Sequence, residues 1–571
     1  MRANEMPESI VNVARFLPET AREWPEGCAV RAPRPRRAGR PLYYDVVSFA
    51  GLEAESNAAA RLLRVRGIGR GTRVLLMVRP GLDLIRLTFA LFKLGAVPVV
   101  IDPGMGLRQF LHCVRRTEPR ALVGIPLAHA VACLFRRSFR SVRIRLAVGT
   151  RGFRSGLENA ISEGGEESIA PTRSEDLAAI LFTSGSTGPP KGVCYEHGMF
   201  EAQVRLIREF YAIEPGEVDL PMLPVFALFN PAMGMTTVVP EMNPSKPAAV
   251  DPERIVQAIV QNRVTNSFGS PVLWRRIGRY CVDHDIVLPS IKRILMAGAP
   301  APPEILRLFE GRLPNGGIHT PYGATEALPV TSIAATEILE GTWERTESGA
   351  GTCVGRAFPG VRIEIHRCSD GAVPQCNPDT RLAAKEIGEI RVNGPIVTHE
   401  YDRLPDATRR AKIVEPDGSL WHRMGDIGYL DDIGRLWFCG RQAERVQSAD
   451  QTYYTDCCEA IFNRHPAVVR TALVGLGDPG AQVPAIVVEP KPESFPRTKQ
   501  SAKAFVGEIL ELGKRHNATR PIRHVFFKRR FPVDVRHNAK IHRLTLQKLC
   551  MQRVERLPES SRFRIQSVFL D

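Results

Sequence analysis

The sequence predicts an α/β protein with a large N-terminal unit and a smaller α+β unit at the C-terminus. Three observations lead there. At 571 residues the chain exceeds what one hydrophobic core can serve, so two or more domains are required. Segments of helical and of strand period alternate through most of its length, the pattern of βαβ units and mainly parallel sheets. Beyond Glu340 that alternation gives way to short strands separated by turn residues.

The elements follow in order. Ala58 to Val65 reads as a helix end, Arg73 to Val78 as a strand, Leu82 to Leu94 as a helix and Val97 to Ile101 as a strand. Leu177 to Phe182 is an apolar run of buried-strand length, and Ile291 to Met296 is similar. Later, Val361 to His366, Gly388 to Val392, Gly428 to Leu430 and Leu436 to Phe438 read as strands. The last two flank a hairpin turn, Asp431-Asp432-Ile433-Gly434. The string turns polar after Cys439-Gly440-Arg441, which places a boundary between 1–439 and 440–571. The second unit ends in a basic segment with ten Lys/Arg against Asp534 between Lys514 and Arg543.

Composition narrows the class. Apolar content of 44% with 24% charge is that of an ordinary globular protein. A formal net charge of +16 permits attraction to nucleotides, acidic carriers, nucleic acid or anionic membrane without choosing among them. Five arginines between Arg31 and Arg40 read as a solvated loop. Twelve cysteines without a Cys-x-x-Cys pair fit reduced thiols in a cytoplasmic protein. Glu5, Glu8 and Arg15 interrupt any apolar N-terminal run, so no signal peptide is expected. Arg86, Lys93 and Pro98 break the most apolar stretch, Leu84 to Ile101, and argue against a transmembrane segment.

One loop carries most of the chemistry: Thr183-Ser184-Gly185-Ser186-Thr187-Gly188-Pro189-Pro190-Lys191-Gly192. Its glycines allow close backbone approach, and its hydroxyls and lysine are the donors a polyphosphate needs. It is not a Walker A loop, because Gly192 follows Lys191 where Ser or Thr is required. Further on stand Gly298-Ala299-Pro300, Tyr322-Gly323-Ala324-Thr325-Glu326, Gly388-Glu389-Ile390, Trp421 to Asp426, Gly440-Arg441 and Lys540-Ile541. An aromatic ring at Tyr322 can stack on a purine. Asp426 can accept from both ribose hydroxyls.

Taken in order, these segments resemble the adenylate-forming superfamily of acyl-CoA synthetases, luciferases and peptide-synthetase adenylation domains. The resemblance implies a large αβαβα-type N-terminal domain with a small barrel-like part. It also implies a mobile α+β C-terminal lid turning on a hinge near 441–443. It implies ATP and Mg²⁺: a nucleotide held by Thr183, Ser184, Gly185, Ser186, Thr187, Gly188, Lys191, Gly298, Ala299, Pro300, Tyr322, Gly323, Asp426 and Arg441. Glu326 and Thr187 would hold the metal. Lys540, Thr325 and Glu326 would be catalytic, with the Lys540 ammonium neutralising charge as a carboxylate attacks the α-phosphate.

The departures from that pattern are informative. Pro224-Val225-Phe226-Ala227 replaces Pro-x-Phe-His, Ala443 stands at the hinge position, and Asp450 replaces a glycine that lets a pantetheine arm pass. An acid in that tunnel disfavours coenzyme A. With the flanking strings, these changes resemble the olefin-biosynthesis β-lactone synthetases. That branch implies a long-chain 2-alkyl-3-hydroxy acid, activated by ATP and closed by its own β-hydroxyl. It also implies a complex with condensing and lactone-decarboxylating enzymes of the pathway, and no nucleic acid. A long-chain acyl-CoA or acyl-carrier-protein ligase is the alternative, and a non-catalytic basic binding module a third. Phe226, Phe229 and Met233 are candidates for the acyl pocket. The base for the β-hydroxyl is left open between the leaving phosphate and His197, which also reads as a helix-start residue.

Overall fold

A computed structural model describes residues 10–34, 42–183, 189–223, 229–243, 246–533, 540–555 and 568–570. Among the expectations above, Ser184 to Gly188, Phe226 and Ala227 lie outside the described residues.

A six-stranded sheet fulfils the βαβ reading. Ile144–Ala147, Ala121–Gly124, Arg73–Met77, Val97–Val100 and Leu177–Thr183 run parallel, and Lys191–Glu196 folds back antiparallel onto Leu177–Thr183. Alternate residues of a strand face opposite ways, and the core divides accordingly. Val74 and Leu76 meet the helices Phe49–Val65, Leu82–Lys93 and Arg151–Ser162. Leu75 faces Leu107–Thr117 and Pro126–Leu134 on the other side. The helix Leu82–Lys93 and both neighbouring strands fall within a residue of their sequence-derived ends.

A fourteen-stranded sheet forms the rest of the large unit. Asn266–Gly269, Arg293–Met296 and the start of Gly317–Ala324 run parallel in it. The antiparallel strands beyond Glu340 hydrogen-bond onto its end, with Arg362–His366 at the edge. Gly428 to Leu430 is the tail of a longer strand, Leu420–Leu430, paired with Leu436–Arg441. The sequence disguises its first half because Leu420 to Gly425 lacks the alternation of a half-exposed strand. His422 and Arg423 are both buried there. The hairpin turn is closed by Asp431, whose backbone carbonyl accepts from Gly434 N–H and whose carboxylate accepts from Ile433 and Arg435 N–H.

After Arg441 the chain builds a four-stranded sheet, Val468–Leu476, Val483–Pro490, His524–Phe527 and Val568–Phe569. One face packs on the helix Lys499–Lys514 through Phe505 and Ile509, the other on Arg543–Glu555 through Leu546 and Cys550. All twelve cysteines are unbridged. Among the described residues, no helix is long and apolar enough to cross a membrane.

Candidate active site

Several elements converge on a cavity of about 420 Å³. Gly298, Ala299 and Pro300 reach it just past the carboxyl end of Arg293–Met296, where open α/β sheets place ligands. Gly298 has φ of +92°, a conformation that favours glycine. Tyr322, Gly323 and Thr325 come from the end of Gly317–Ala324 and the turn after it. This pentapeptide closes a β-hairpin with Ala327–Ala334. A side chain at Gly323 would meet the Ala327 carbonyl oxygen at 2.7 Å, so the strand can present only backbone there. Asp426, Phe438, Arg441 and Lys540 also line the cavity.

Asp426 and Arg441 are cross-strand partners. Arg441 Nη1 lies 2.6 Å from Asp426 Oδ1, and Tyr322 Oη donates to Oδ2 at 2.5 Å. Asp426 is 2% exposed. Burial pushes its carboxyl above the ordinary value, opposed by Arg441, the Tyr322 hydrogen bond and Lys540. The same burial, with Asp426 beside it, holds the Tyr322 phenol well up and protonated. The Tyr322 ring stands 6.2 Å from that of Phe438.

Thr325 lines the cavity, and its carbonyl accepts from Tyr195 Oη at 2.6 Å. Glu326 turns the other way. Tyr401 Oη donates to Glu326 Oε1 at 2.8 Å, and Thr398 holds the Glu326 carbonyl through N–H and Oγ1 at 2.9 and 3.1 Å. Lys191 Nζ sits 4.6 Å above the Tyr401 ring. It begins the strand that pairs Thr183 with Lys191. Both ends of the Thr183–Gly192 loop are thereby fixed beside Glu326's partner. Behind them Lys412 is buried, donates to Thr398 Oγ1 at 3.0 Å, and is pushed down to about 7 by burial against the pull of Glu326 and Glu196.

Sequence reasoning missed Tyr401, Lys412 and a charged cluster on the lid side. Arg543 donates to both oxygens of Glu459 at 2.7 Å and to Glu444 Oε2 at 2.9 Å. Arg543, Glu444 and Asp456 reach the same cavity as Lys540. Burial drives Asp456 up to about 7, with Arg543 opposing and the two glutamates reinforcing. The available signal was the three-residue spacing of Lys540 and Arg543, hidden among other basic residues. Gly440 has φ of +137° and packs so tightly that an added methyl group would collide with Thr455 Oγ1. Asp450 is exposed in the turn between Val446–Gln447 and Thr452–Tyr453 and lines neither this cavity nor the next.

A smaller, mainly apolar cavity of about 50 Å³ adjoins, sharing Phe268, Pro321 and Leu328 with the first. Phe229 and Met233, both expected at an acyl pocket, line it. It also meets the buried carboxylate of Asp219, which accepts from Asn230 and Asn266 Nδ2 at 3.0 and 2.7 Å. His197 lines neither cavity. It opens the helix His197–Phe210, is 1% exposed, accepts from Val13 N–H at Nδ1 and packs edge-on against Phe92.

That packing has a pH signature. Burial pushes His197 down to about 4 from 6.5. Between those values the unfolded chain binds a proton that the folded one refuses, so stability falls as pH drops from 6.5 towards 4, by up to about 3 kcal/mol. Urea unfolding should show His197→Asn with a shallower loss over that window. A slope equal to that of the wild type would contradict the assignment.

The model of the family described as AMP-binding enzyme matches residues 19–402. The chain is 44% identical over 554 residues to the olefin beta-lactone synthetase of Xanthomonas campestris pv. campestris, covering 95% of this chain and 98% of that protein. It is 44% identical over 547 residues to the olefin beta-lactone synthetase of Stenotrophomonas maltophilia, covering 93% and 96%. The crystal structure of ATP-bound MatB from Rhodopseudomonas palustris superposes with a TM-score of 0.74 over 95% of this chain and 99% of that one, at 20% identity, a likeness of fold. The chain thus belongs to the AMP-binding enzyme family and has olefin beta-lactone synthetases among its near-full-length relatives.

Proposed function

We propose that the protein is an ATP-dependent β-lactone synthetase acting on a long-chain 2-alkyl-3-hydroxy acid. The 44% identity to olefin beta-lactone synthetases across nearly the whole chain carries this reading. The cavity supplies a matching geometry: Lys540, Thr325, Asp426 and Arg441 around one space, with an apolar pocket beside it.

In this reading, 1–439 is the nucleotide-binding domain and 440–571 the lid, hinged near 441–443. Gly298 to Pro300 and Tyr322 receive the adenine, and Asp426 and Arg441 the ribose. Thr183 to Lys191 receive the phosphates. Glu326 fits a magnesium site: Tyr401 holds one oxygen of a carboxylate that lies beside the fixed ends of the Thr183–Gly192 loop, and magnesium takes one or two carboxylates together with substrate phosphates. With Thr187, Glu326 would hold Mg²⁺, which screens the phosphate charge.

Lys540 neutralises charge while the substrate carboxylate attacks the α-phosphorus, forming one P–O bond as pyrophosphate leaves. Thr325 holds the new acyl phosphate. The substrate's β-hydroxyl then attacks the acyl carbon, its proton passing to the departing AMP phosphate, and the four-membered ring closes. Tethering replaces a second substrate, an advantage of up to about 7–11 kcal/mol in well-oriented systems. The buried packing of His197 favours the leaving phosphate as base.

Incubation with ATP, Mg²⁺ and a long-chain 2-alkyl-3-hydroxy acid should yield lactone, AMP and pyrophosphate without coenzyme A. Product formation that requires coenzyme A or an acyl carrier would instead assign the protein to the acyl ligases.

A further inference from the structure

Between Leu107 and Arg154 the chain carries eleven arginines, no lysine and a single acid, Glu118. Eleven minus one leaves +10 of the formal +16 in this stretch. Arg151 and Arg154 stand on the helix Arg151–Ser162, across the six-stranded sheet; much of the rest lies with two helices on the other side. Leu107–Thr117 and Pro126–Leu134 bury Phe110, Val114, Ala128 and Ala132 against the same face of the six-stranded sheet and turn their other sides outward. Arg108, Arg115, Arg136, Arg137 and Arg143 are exposed, and no carboxylate among the described residues pairs with them. Glu118 is already held by Arg403 and Arg140. His112, on the same surface, is kept below its usual value by burial and by Arg116 and Arg115.

The same face exposes large aliphatic side chains. Leu127 is 67% exposed, Leu134 77% and Leu107 51%. Scattered single apolar residues are ordinary on a surface, but these stand among unneutralised guanidinium groups. The two features ask for different things. Guanidinium forks bind phosphate oxygens in pairs, while leucines gain only by leaving water. A polyanion such as nucleic acid meets the first need and leaves the leucines wet. A phosphate-bearing bilayer meets both, with the arginines at the headgroups and the leucines reaching the acyl boundary.

We propose that the face formed by Leu107–Thr117, Pro126–Leu134 and the arginines that follow docks the protein on an anionic lipid bilayer. The contact is peripheral and reversible, and it is independent of the reaction catalysed.

Co-sedimentation of the full chain with phosphatidylglycerol–phosphatidylcholine vesicles tests the idea, with pure phosphatidylcholine vesicles as comparison. Binding is expected to the anionic vesicles and to fall with added salt. The pair Arg136→Glu and Arg137→Glu should weaken it by about tenfold or more. The pair Leu127→Ser and Leu134→Ser should weaken it while keeping the salt dependence. Both pairs lie on the surface, and unchanged melting and pyrophosphate release on a short soluble acid would show intact protein. The proposal is overturned if wild-type protein stays in the supernatant, if it binds neutral vesicles equally, or if both pairs bind as wild type. It is also overturned if duplex DNA binds more tightly and is indifferent to the leucine pair.

Discussion

Lys540→Ala is expected to slow adenylation by about 10²–10³-fold, or about 3–4 kcal/mol, with a much smaller change in the KM for ATP. The ammonium reaches the cavity shared by Thr325 and Asp426, and its charge is felt at Asp426. Negative charge is most concentrated as the carboxylate nears the α-phosphate, so the benefit falls on kcat more than on binding. Pyrophosphate release with the substrate acid measures the step directly. A variant that releases pyrophosphate at the wild-type rate would remove Lys540 from the reaction. Asp534 to Ala539, just upstream, lie outside the described residues.

Arg543→Met is expected to be the most damaging substitution on the lid side. Glu444 and Glu459 are 7% and 5% exposed, and both depend on this guanidinium. Removing one partner of a buried ion pair typically costs about 3–5 kcal/mol, because the remaining charge stays out of water without compensation. Asp456 adds a third carboxyl to the same environment. The unit after Arg441 should therefore unfold at lower urea than the rest, and limited proteolysis should cut it first. Adenylation should fall as well, since Arg543 anchors the segment that carries Lys540. Neutralising one stranded charge with Glu459→Gln in the Arg543→Met background should recover part of the loss. If melting, proteolysis and pyrophosphate release all match the wild type, the cluster does not anchor the lid.

Much of the fold was legible in local patterning. The strands and helix from Arg73 to Ile101 emerged almost at their observed ends, because apolar spacing there switches cleanly between two periods. The first half of Leu420–Leu430 did not, because it is buried on both faces and carries charged residues that other parts of the chain satisfy. Arg423 is held by Glu389, 34 residues away, at 2.7 Å, and by the carbonyl of Gly371. Tyr322 to Glu326 was recognisable as a motif, but its setting in a β-hairpin depended on the pairing of Gly317–Ala324 with Ala327–Ala334.

The site divides in the same way. The order and chemistry of the motifs pointed to the candidate nucleotide donors, the candidate metal carboxylate Glu326 and the candidate catalytic Lys540, because those demands are met by residue type within a few positions. Only the tertiary structure decided what surrounds them. Tyr401 reaches Glu326 across 75 residues, Tyr322 reaches Asp426 across 104, and Arg543 reaches Glu444 across 99. It likewise turned His197 from a candidate base into a buried packing residue, and left a set of arginines exposed beside large aliphatic side chains. Burial and the pairing of charges are properties of three-dimensional proximity, and residues so far apart in the chain acquire them only when the sheets close around them.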